Sequence, residues 1–561
     1  MSEVFLGGYP AKKCPRVVHN EHAPGTLAVE LPVPAHLQIL FDAGRAFQDE
    51  VVDVLRDVLD DGTFIDADQS WNAATDATVT AMRRGDAVIV GGRLPDIAAR
   101  RGAPDLLVRV GAEAAYLPVD IKHHHTLSTS KTKDLTFSTI DAPMRWESAT
   151  GVCNRGGHWR DDVMQLAHYT RMLQELGFHP GDDRLYGGIL GTDSYDGLTP
   201  HGCGITWYDL TEAGERTFSA SAESGRKLRS PLERYDHEFD FRVQVAQAAR
   251  DGRELVRPIG TDECFDCVWA EQCEQVVGPD DAGFALRHGR LRTREWQFLA
   301  SRGVTTLADL AALEVDADLL DGFVRHAAGR QGAAAAEKAL RAAVTKADLT
   351  LRGVDIEPIG DTWPAVPTAD VEIDFDIEWD RAGRIYQYGL RIRDAADDGT
   401  ARYEPVVSFE PLDDAGAAAL ADQVADRLEE LIADAEQRGH TLMIFHWSAV
   451  EISRTRCFPR LASLLEDRSV DLLAWASGKF VARKSFSIKD IAPIFGFEWG
   501  VDDAGGFSSM DKIEHARGTG PDAAEARTWC LDYNEADVAA QAAIRDGLRA
   551  LENAPLMVSS P

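Results

Sequence analysis

The chain has 561 residues, 44% of them hydrophobic, and a formal net charge of −33. That length predicts two to four domains rather than one core. No run approaches the ~20 apolar residues that span a bilayer, and the start lacks a basic stretch followed by an apolar one, so a cytoplasmic protein with no membrane partner is expected. The acidity argues against a simple basic nucleic-acid binder and reads as a solvated acidic surface.

A first segment, 1–277, opens with a loop around Lys12, Lys13, Cys14, Pro15 and Arg16. A helix is predicted over 34–60, where Ile39, Leu40, Ala43, Phe47, Val51 and Leu55 recur at helical spacing. Two strands follow. Asp105 opens a Leu-Leu-Val-Arg-Val run, and 116–122 comes after a Gly-Ala-Glu turn. Alternation places Asp120 and Lys122 on one face of the second strand. Two carboxylates on adjacent strands can hold a divalent metal, and a nearby ammonium can steer or deprotonate the attacking water. The triple histidine His123–His125 reads as a metal tract or as polar strand-end surface. With Lys122, Lys131 and Lys133 it offers a local basic groove. A helix over 160–176 sets Gln165 and Tyr169 four apart on one face. A strand at 185–190 and polar helical sequence over 211–252 lead to a cysteine cluster.

Eight cysteines are too sparse for a disulfide scaffold and suit a thiol or metal role. Cys264-x-x-Cys267-x5-Cys273 gathers three thiols, and Cys14 stands near the other end of the segment. That set suits a four-thiolate site, zinc and [4Fe–4S] alike. Cys153, Cys203, Cys457 and Cys530 lack such spacing and read as buried thiols.

The stretch 278–345 is predicted helical, with a helix–turn–helix pair around Gly303 that is either a phosphate dock or a packing spacer. Pro358, Pro364 and Pro367 mark 346–369 as a linker. The last segment, 370–553, has strands at 369–379, 385–393 and near 406–409, a helix over 413–437, a strand at 441–446, and helices to the end. That α/β order is consistent with an RNase H-like layer. In the first of these strands Asp374, Asp376 and Glu378 share a face, where like charges repel unless a cation is present. Glu451 follows the 441–446 strand, and Tyr533 and Asp537 stand four apart on a helix.

Asp105, Asp120, Lys122, Gln165 and Tyr169 together resemble the PD-(D/E)XK nuclease superfamily, in its RecB-like branch with the Gln-x-x-x-Tyr motif. The resemblance implies a restriction-endonuclease-like core. Asp105 and Asp120 would be metal ligands, Lys122 the positioning or proton-handling group, and Gln165 and Tyr169 supports. Relatives carry a His or Glu on the first helix, where this chain has Gln48, with Glu50 as the other candidate. The cysteines divide as in RecB-like nucleases of the AddAB type and of CRISPR adaptation, which implies a structural [4Fe–4S] cluster on Cys14, Cys264, Cys267 and Cys273. The last segment resembles the DEDD exonucleases of the RNase H-like superfamily in their YprB-like form. Asp376 and Glu378 match the first motif, Glu451 the second with His446 in place of Asn, Asp537 the last acid, and Tyr533 the tyrosine that orients water. The pair of domains resembles a bacterial family of RecB-like nucleases.

The implied function is a Mg²⁺- or Mn²⁺-dependent nuclease, exonucleolytic and acting in DNA repair or processing. RNA is open as a substrate of the last domain. No Gly-x-x-x-x-Gly-Lys-[Ser/Thr] loop is present, so any unwinding falls to a helicase partner. The alternative is a non-catalytic nucleic-acid-binding scaffold built on degenerate nuclease folds.

Overall fold

The computed structural model describes residues 3–26, 35–195, 199, 202–286, 291–327, 330, 332–360, 362–396, 400–501 and 506–552. Among the predicted features, residue 34 at the start of the first helix, the Ile39 side chain and residue 553 lie outside the described residues. The chain divides into two compact units. Met1–Arg287 forms most of the first, joined by Leu291–Gly303 and Val315–Lys338; Ala339–Pro561 forms most of the second, joined by Val304–Glu314.

In the first unit eight strands make a mixed sheet in the order Gly62–Phe64, Val88–Val90, Leu106–Arg109, Tyr116–Ile121, Tyr186–Leu190, Gly204–Asp209, Leu135–Thr139 and Glu147–Ala149. The Tyr116–Ile121 strand is buried throughout, so both of its faces need cover. Leu117, Val119 and Ile121 pack with Leu55, Phe47 and Val51 of helix Ala35–Val58. Tyr116, of the opposite parity, packs with Tyr169, Met172 and Leu173 of helix Trp159–Glu175. Asp120 shares that parity and is thereby aimed toward the helix carrying Gln165. The parallel pairing of Tyr116–Ile121 with Tyr186–Leu190 requires a crossover, which this helix supplies. A Cβ on Gly102 would stand 2.8 Å from the Tyr169 ring, so only glycine lets the helix sit this close.

Residues 211–230 differ from the helical expectation. They form a hairpin, Glu215–Phe218 against Arg226–Arg229, and the helix begins at Pro231 behind a Ser230–Glu233 capping box. Helices Thr293–Ser301 and Leu307–Ala311 flank Gly303, whose φ of 82° is left-handed. Helix Ala333–Arg352 continues into the stretch read as linker, where Ile356–Pro358 also pairs with Phe480–Ala482.

The second unit holds a five-stranded sheet in the order Ala401–Val407, Ile385–Asp394, Val371–Trp379, Leu442–His446 and Ser469–Asp471. Its first three strands are antiparallel and the last two run parallel to Val371–Trp379. Helix Asp414–Arg438 starts where the Asp413 side chain accepts the Gly416 N–H at 2.7 Å and ends at left-handed Gly439. Its Leu420, Val424 and Leu428 cover Ile373, Phe375 and Ile377. Asp374, Asp376 and Glu378 therefore leave the opposite face, toward helix Pro521–Glu552. No described helix is long and apolar enough to cross a membrane.

Candidate functional site

In the first unit, Asp105, Asp120, Lys122, Gln165 and Tyr169 converge. Lys122 Nζ lies 3.0 Å from Asp120 Oδ2 and donates to Gln165 Oε1 at 3.3 Å. Gln165 Nε2 donates to the Tyr169 hydroxyl at 2.9 Å. Asp105 Oδ2 accepts the Ile121 N–H at 2.7 Å. Asp120 is 1% exposed, with its Oδ2 against the ammonium. Burial, then the Asp120 charge, pushes the Asp105 carboxyl up to about 7. Burial opposes the Lys122 charge, yet Asp120 and Asp105 outweigh it and hold the ammonium above its ordinary range. Buried Asp120, paired with the Lys122 ammonium, and half-buried Asp105 set two carboxylates together, as suits a site that takes a hard divalent cation.

Three further groups reach this site. Gln48, not the exposed Glu50, approaches Asp105, and it does so as a donor: Nε2 to Oδ1 at 2.8 Å. Lys12 Nζ donates to Gln165 Oε1 at 3.0 Å, and burial followed by the Lys122 charge lowers it to about 8. His124 Nε2 stands 3.2 Å from the buried Asp162 Oδ1. The rest of the basic groove is not assembled. His125 pairs with Asp193 at the surface, and exposed Lys133 pairs with Glu212 at 2.6 Å.

In the second unit the acidic face of Val371–Trp379 splits in two. Fully buried Asp374 is gripped by Arg545, with Arg391 at 3.3 Å, and Glu372 by Arg549 and Arg393. Burial works against the Glu372 charge, but Arg549, Arg545 and Arg393 carry its carboxyl down to about 2. Asp374 is thus a structural ion pair and does not join the site. Asp376 and Glu378, further along the same face, pair with no arginine among the described residues. Their oxygens and one of Asp537 lie within 4.8 Å of one another, the one such group of three among the described residues. Burial, then Asp537, pushes the Glu378 carboxyl up to about 8. Burial, Glu378, Asp537 and Glu451 raise Asp376 well above the carboxylate range.

Local contacts aim these groups. Asn534 Nδ2 donates to Asp376 Oδ2 at 2.8 Å. Gly389 pairs with Asp376 across the sheet, and a Cβ there would stand 2.0 Å from Asn534 Oδ1, so glycine makes room for the amide. Ser509 Oγ donates to Glu378 Oε2 at 2.6 Å. Asp537 Oδ1 accepts from Lys489 Nζ at 3.0 Å and Trp499 Nε1 at 2.6 Å. Tyr533, one helical turn before Asp537, is buried against Trp529. Glu451 stands beside the trio rather than in it: it is buried, accepts from Ser448 Oγ at 3.2 Å, and lies 3.7 Å from His446 Nδ1. Ser448 holds a φ of 123°, strain of the kind that accumulates at functional sites.

The four cysteines lie where helix Pro15–His22 meets residues 263–284. Cys14 precedes helix Pro15–His22, and its N–H donates to Glu263 Oε2 at 3.0 Å, beside Cys264. Cys264, Cys267 and buried Cys273 pack in one cluster with Val17, Trp269 and Phe284. Asn20 Nδ2 reaches Cys273 Sγ at 3.6 Å. Burial pushes the Cys14 thiol up to about 11, with Glu263 and Cys264 adding to the rise. All eight cysteines are free. Cys153 and Cys530 are buried as expected and Cys203 is half-buried, whereas Cys457 is exposed.

Residues 375–549 match the RNase H superfamily, and the second unit carries a domain of that superfamily. No curated protein matches the chain. A solved structure described as 3′-end specific recognition of histone mRNA stem-loop by 3′-exonuclease is 13% identical over 46% of this chain and 88% of that chain. Its TM-score is 0.19, and so low a value carries no structural argument.

Proposed function

We propose that the chain is a metal-dependent nuclease that hydrolyses phosphodiester bonds with Mg²⁺ or Mn²⁺. The observation that carries this reading is the division of one acidic strand inside an RNase H-like domain. Glu372 and Asp374 are neutralised by arginines, while Asp376 and Glu378 converge with Asp537, their oxygens within 4.8 Å of one another. An all-oxygen donor set fits these hard ions. When bound, divalent metal supplies Lewis acidity and a water activated near neutral pH. Asp376, Glu378 and Asp537 would hold it, with Glu451 adding negative charge at the rim. Asn534 and Ser509 fix two of the carboxylates by hydrogen bonds, and Tyr533 would orient the attacking water.

The first unit supports a second centre, of the PD-(D/E)XK type in its RecB-like form. Asp105 and Asp120 would hold the cation there, and Lys122, locked by Asp120 and Gln165, would position the water or the phosphate. DNA is the substrate this form implies, with exonucleolytic repair or processing in the cytoplasm and a helicase as partner; RNA stays open for the second unit. The cysteine quartet fits a structural [4Fe–4S] cluster. Four thiolates suit zinc as well, and the RecB-like resemblance is what favours iron–sulfur. One observation favours a scaffold role for the first centre: the Gln48 amide hydrogen occupies Asp105 Oδ1, where relatives place a further ligand.

The test is cleavage of a labelled single strand by anaerobically prepared protein with Mg²⁺ or Mn²⁺. Asp120→Ala and Asp376→Asn should each remove part of the activity and together all of it. Cleavage persisting in the double variant, or absent from the parent with both metals, overturns the assignment.

A further inference from the structure

We infer that Lys489 is a tethered counter-ion of the second centre, which closes the metal-free trio and makes metal loading depend on substrate. The inference rests on the reading of Asp376, Glu378 and Asp537 as a metal site. Lys489 comes from helix Ile488–Ile491, outside every motif described above. Its Nζ donates to Asp537 Oδ1 at 3.0 Å. The same ammonium lies 3.7 Å from the centroid of the Trp499 ring and 5.0 Å from that of Tyr533, so two aromatic faces hold it there by cation–π attraction. Trp499 Nε1 bonds the same carboxylate oxygen at 2.6 Å. Lysine, indole and carboxylate form one closed unit.

Asp537 Oδ1 thus already has two donors. A divalent ion that uses this oxygen must displace the ammonium, and a displaced ammonium in a half-buried site needs another anion. A phosphate arriving with the substrate provides one. Metal and phosphate should then bind cooperatively, and linkage makes the effect reciprocal. Without substrate, the lysine keeps metal affinity low. With substrate, its charge moves from the ligand to the phosphate.

The experiment measures Mn²⁺ affinity by electron paramagnetic resonance on full-length protein carrying Asp120→Ala, with and without dAMP. Ions lost on adding Asp376→Asn define the second centre. Lys489→Met should tighten Mn²⁺ binding there on the order of tenfold without dAMP, as removal of a competing unit charge a few ångströms away would. Lys489→Arg, which keeps the charge, should stay near the parent. Adding dAMP should tighten Mn²⁺ binding more in the parent than in Lys489→Met, which narrows the gap between them. Unchanged or weaker Mn²⁺ binding in Lys489→Met means the lysine only props Asp537, and the inference fails. A gap that dAMP leaves unaltered removes the link to substrate. If the parent shows no Asp376-dependent Mn²⁺ at all, the metal site itself fails, an outcome distinct from both.

Discussion

Glu378→Gln should flatten the pH dependence of stability of the metal-free protein. The folded chain raises the Glu378 carboxyl from 4.5 to about 8, whereas in the unfolded chain it ionises near its ordinary value. Between those limits the folded state holds a proton that the unfolded state has released, so stability is full below pH 4.5 and falls as pH rises toward 8. At about 1.36 kcal/mol per pH unit the whole window corresponds to about 5 kcal/mol. That is an upper bound, because Asp376 and Asp537 share the repulsion. For a unit of this size it amounts to a melting shift on the order of 10 °C. The assay is thermal melting followed by tryptophan fluorescence in EDTA from pH 5 to 8.5, in an Asp120→Ala background that removes the first centre's demand for metal. The parent should lose melting temperature across that range more steeply than Glu378→Gln. Mn²⁺ should cancel much of the parent's loss by supplying the missing positive charge. Equal slopes in EDTA would refute the reasoning, since they would mean the Glu378 carboxylate is solvated and pays no penalty for its charge.

Arg545→Met should destabilise the second unit by about 3–5 kcal/mol, the usual result of stranding a buried carboxylate, here Asp374; adding Asp374→Leu should restore most of the loss in urea unfolding. Lys122→Ala and Asp120→Ala should each abolish cleavage in an Asp376→Asn protein while leaving the cysteine site intact. Full cleavage by Asp120→Ala in that background would show the first assignment wrong. Anaerobic purification should give a brown protein absorbing near ~400 nm from thiolate–iron charge transfer, bleached by Cys267→Ala. A colourless protein with stoichiometric zinc would overturn the iron assignment and keep the four ligands.

Much of both sites was legible because local periodicity decides it. Alternation alone put Asp120 and Lys122 on one face, and helical spacing paired Gln165 with Tyr169 and Tyr533 with Asp537. What the sequence could not show was which acids find arginines. Asp374 looks no different from Asp376 in a strand, and its fate depends on Arg545 in the final helix. Lys489, Ser509 and Lys12 were missed for the same reason, since no local pattern ties them to the acids or amide they serve. Asn534 lay beside Tyr533, yet its role depends on Gly389 across the sheet. The hairpin at Glu215–Phe218 and Arg226–Arg229 leaves little trace in the sequence because each strand carries one large apolar residue, Phe218 or Leu228, among polar ones, too few for a period-two signal. Proline punctuation suggested a linker, but the pairing of Ile356–Pro358 with Phe480–Ala482 is nonlocal and leaves no local mark.

For a nuclease of the kind proposed, a net charge of −33 sets a physical problem, since long-range repulsion from a polyanion lowers encounter rates. The structure meets it locally. Around Glu372, Asp374 and Asp546 the guanidinium groups of Arg391, Arg393, Arg545 and Arg549 offset the acids. Around Asp105 and Asp120 the cations are Lys12, Lys122 and, when protonated, His124 beside Asp162. In the second unit Asp376 and Glu378, which pair with no arginine among the described residues, are the acids that converge with Asp537. Bound divalent ions would therefore do two things at once: complete each centre, and turn a locally repulsive surface into one that a phosphate can approach. On this argument metal dependence belongs to substrate binding as well as to the chemical step. The arginines that hold Glu372 and Asp374 keep those two acids out of the second centre.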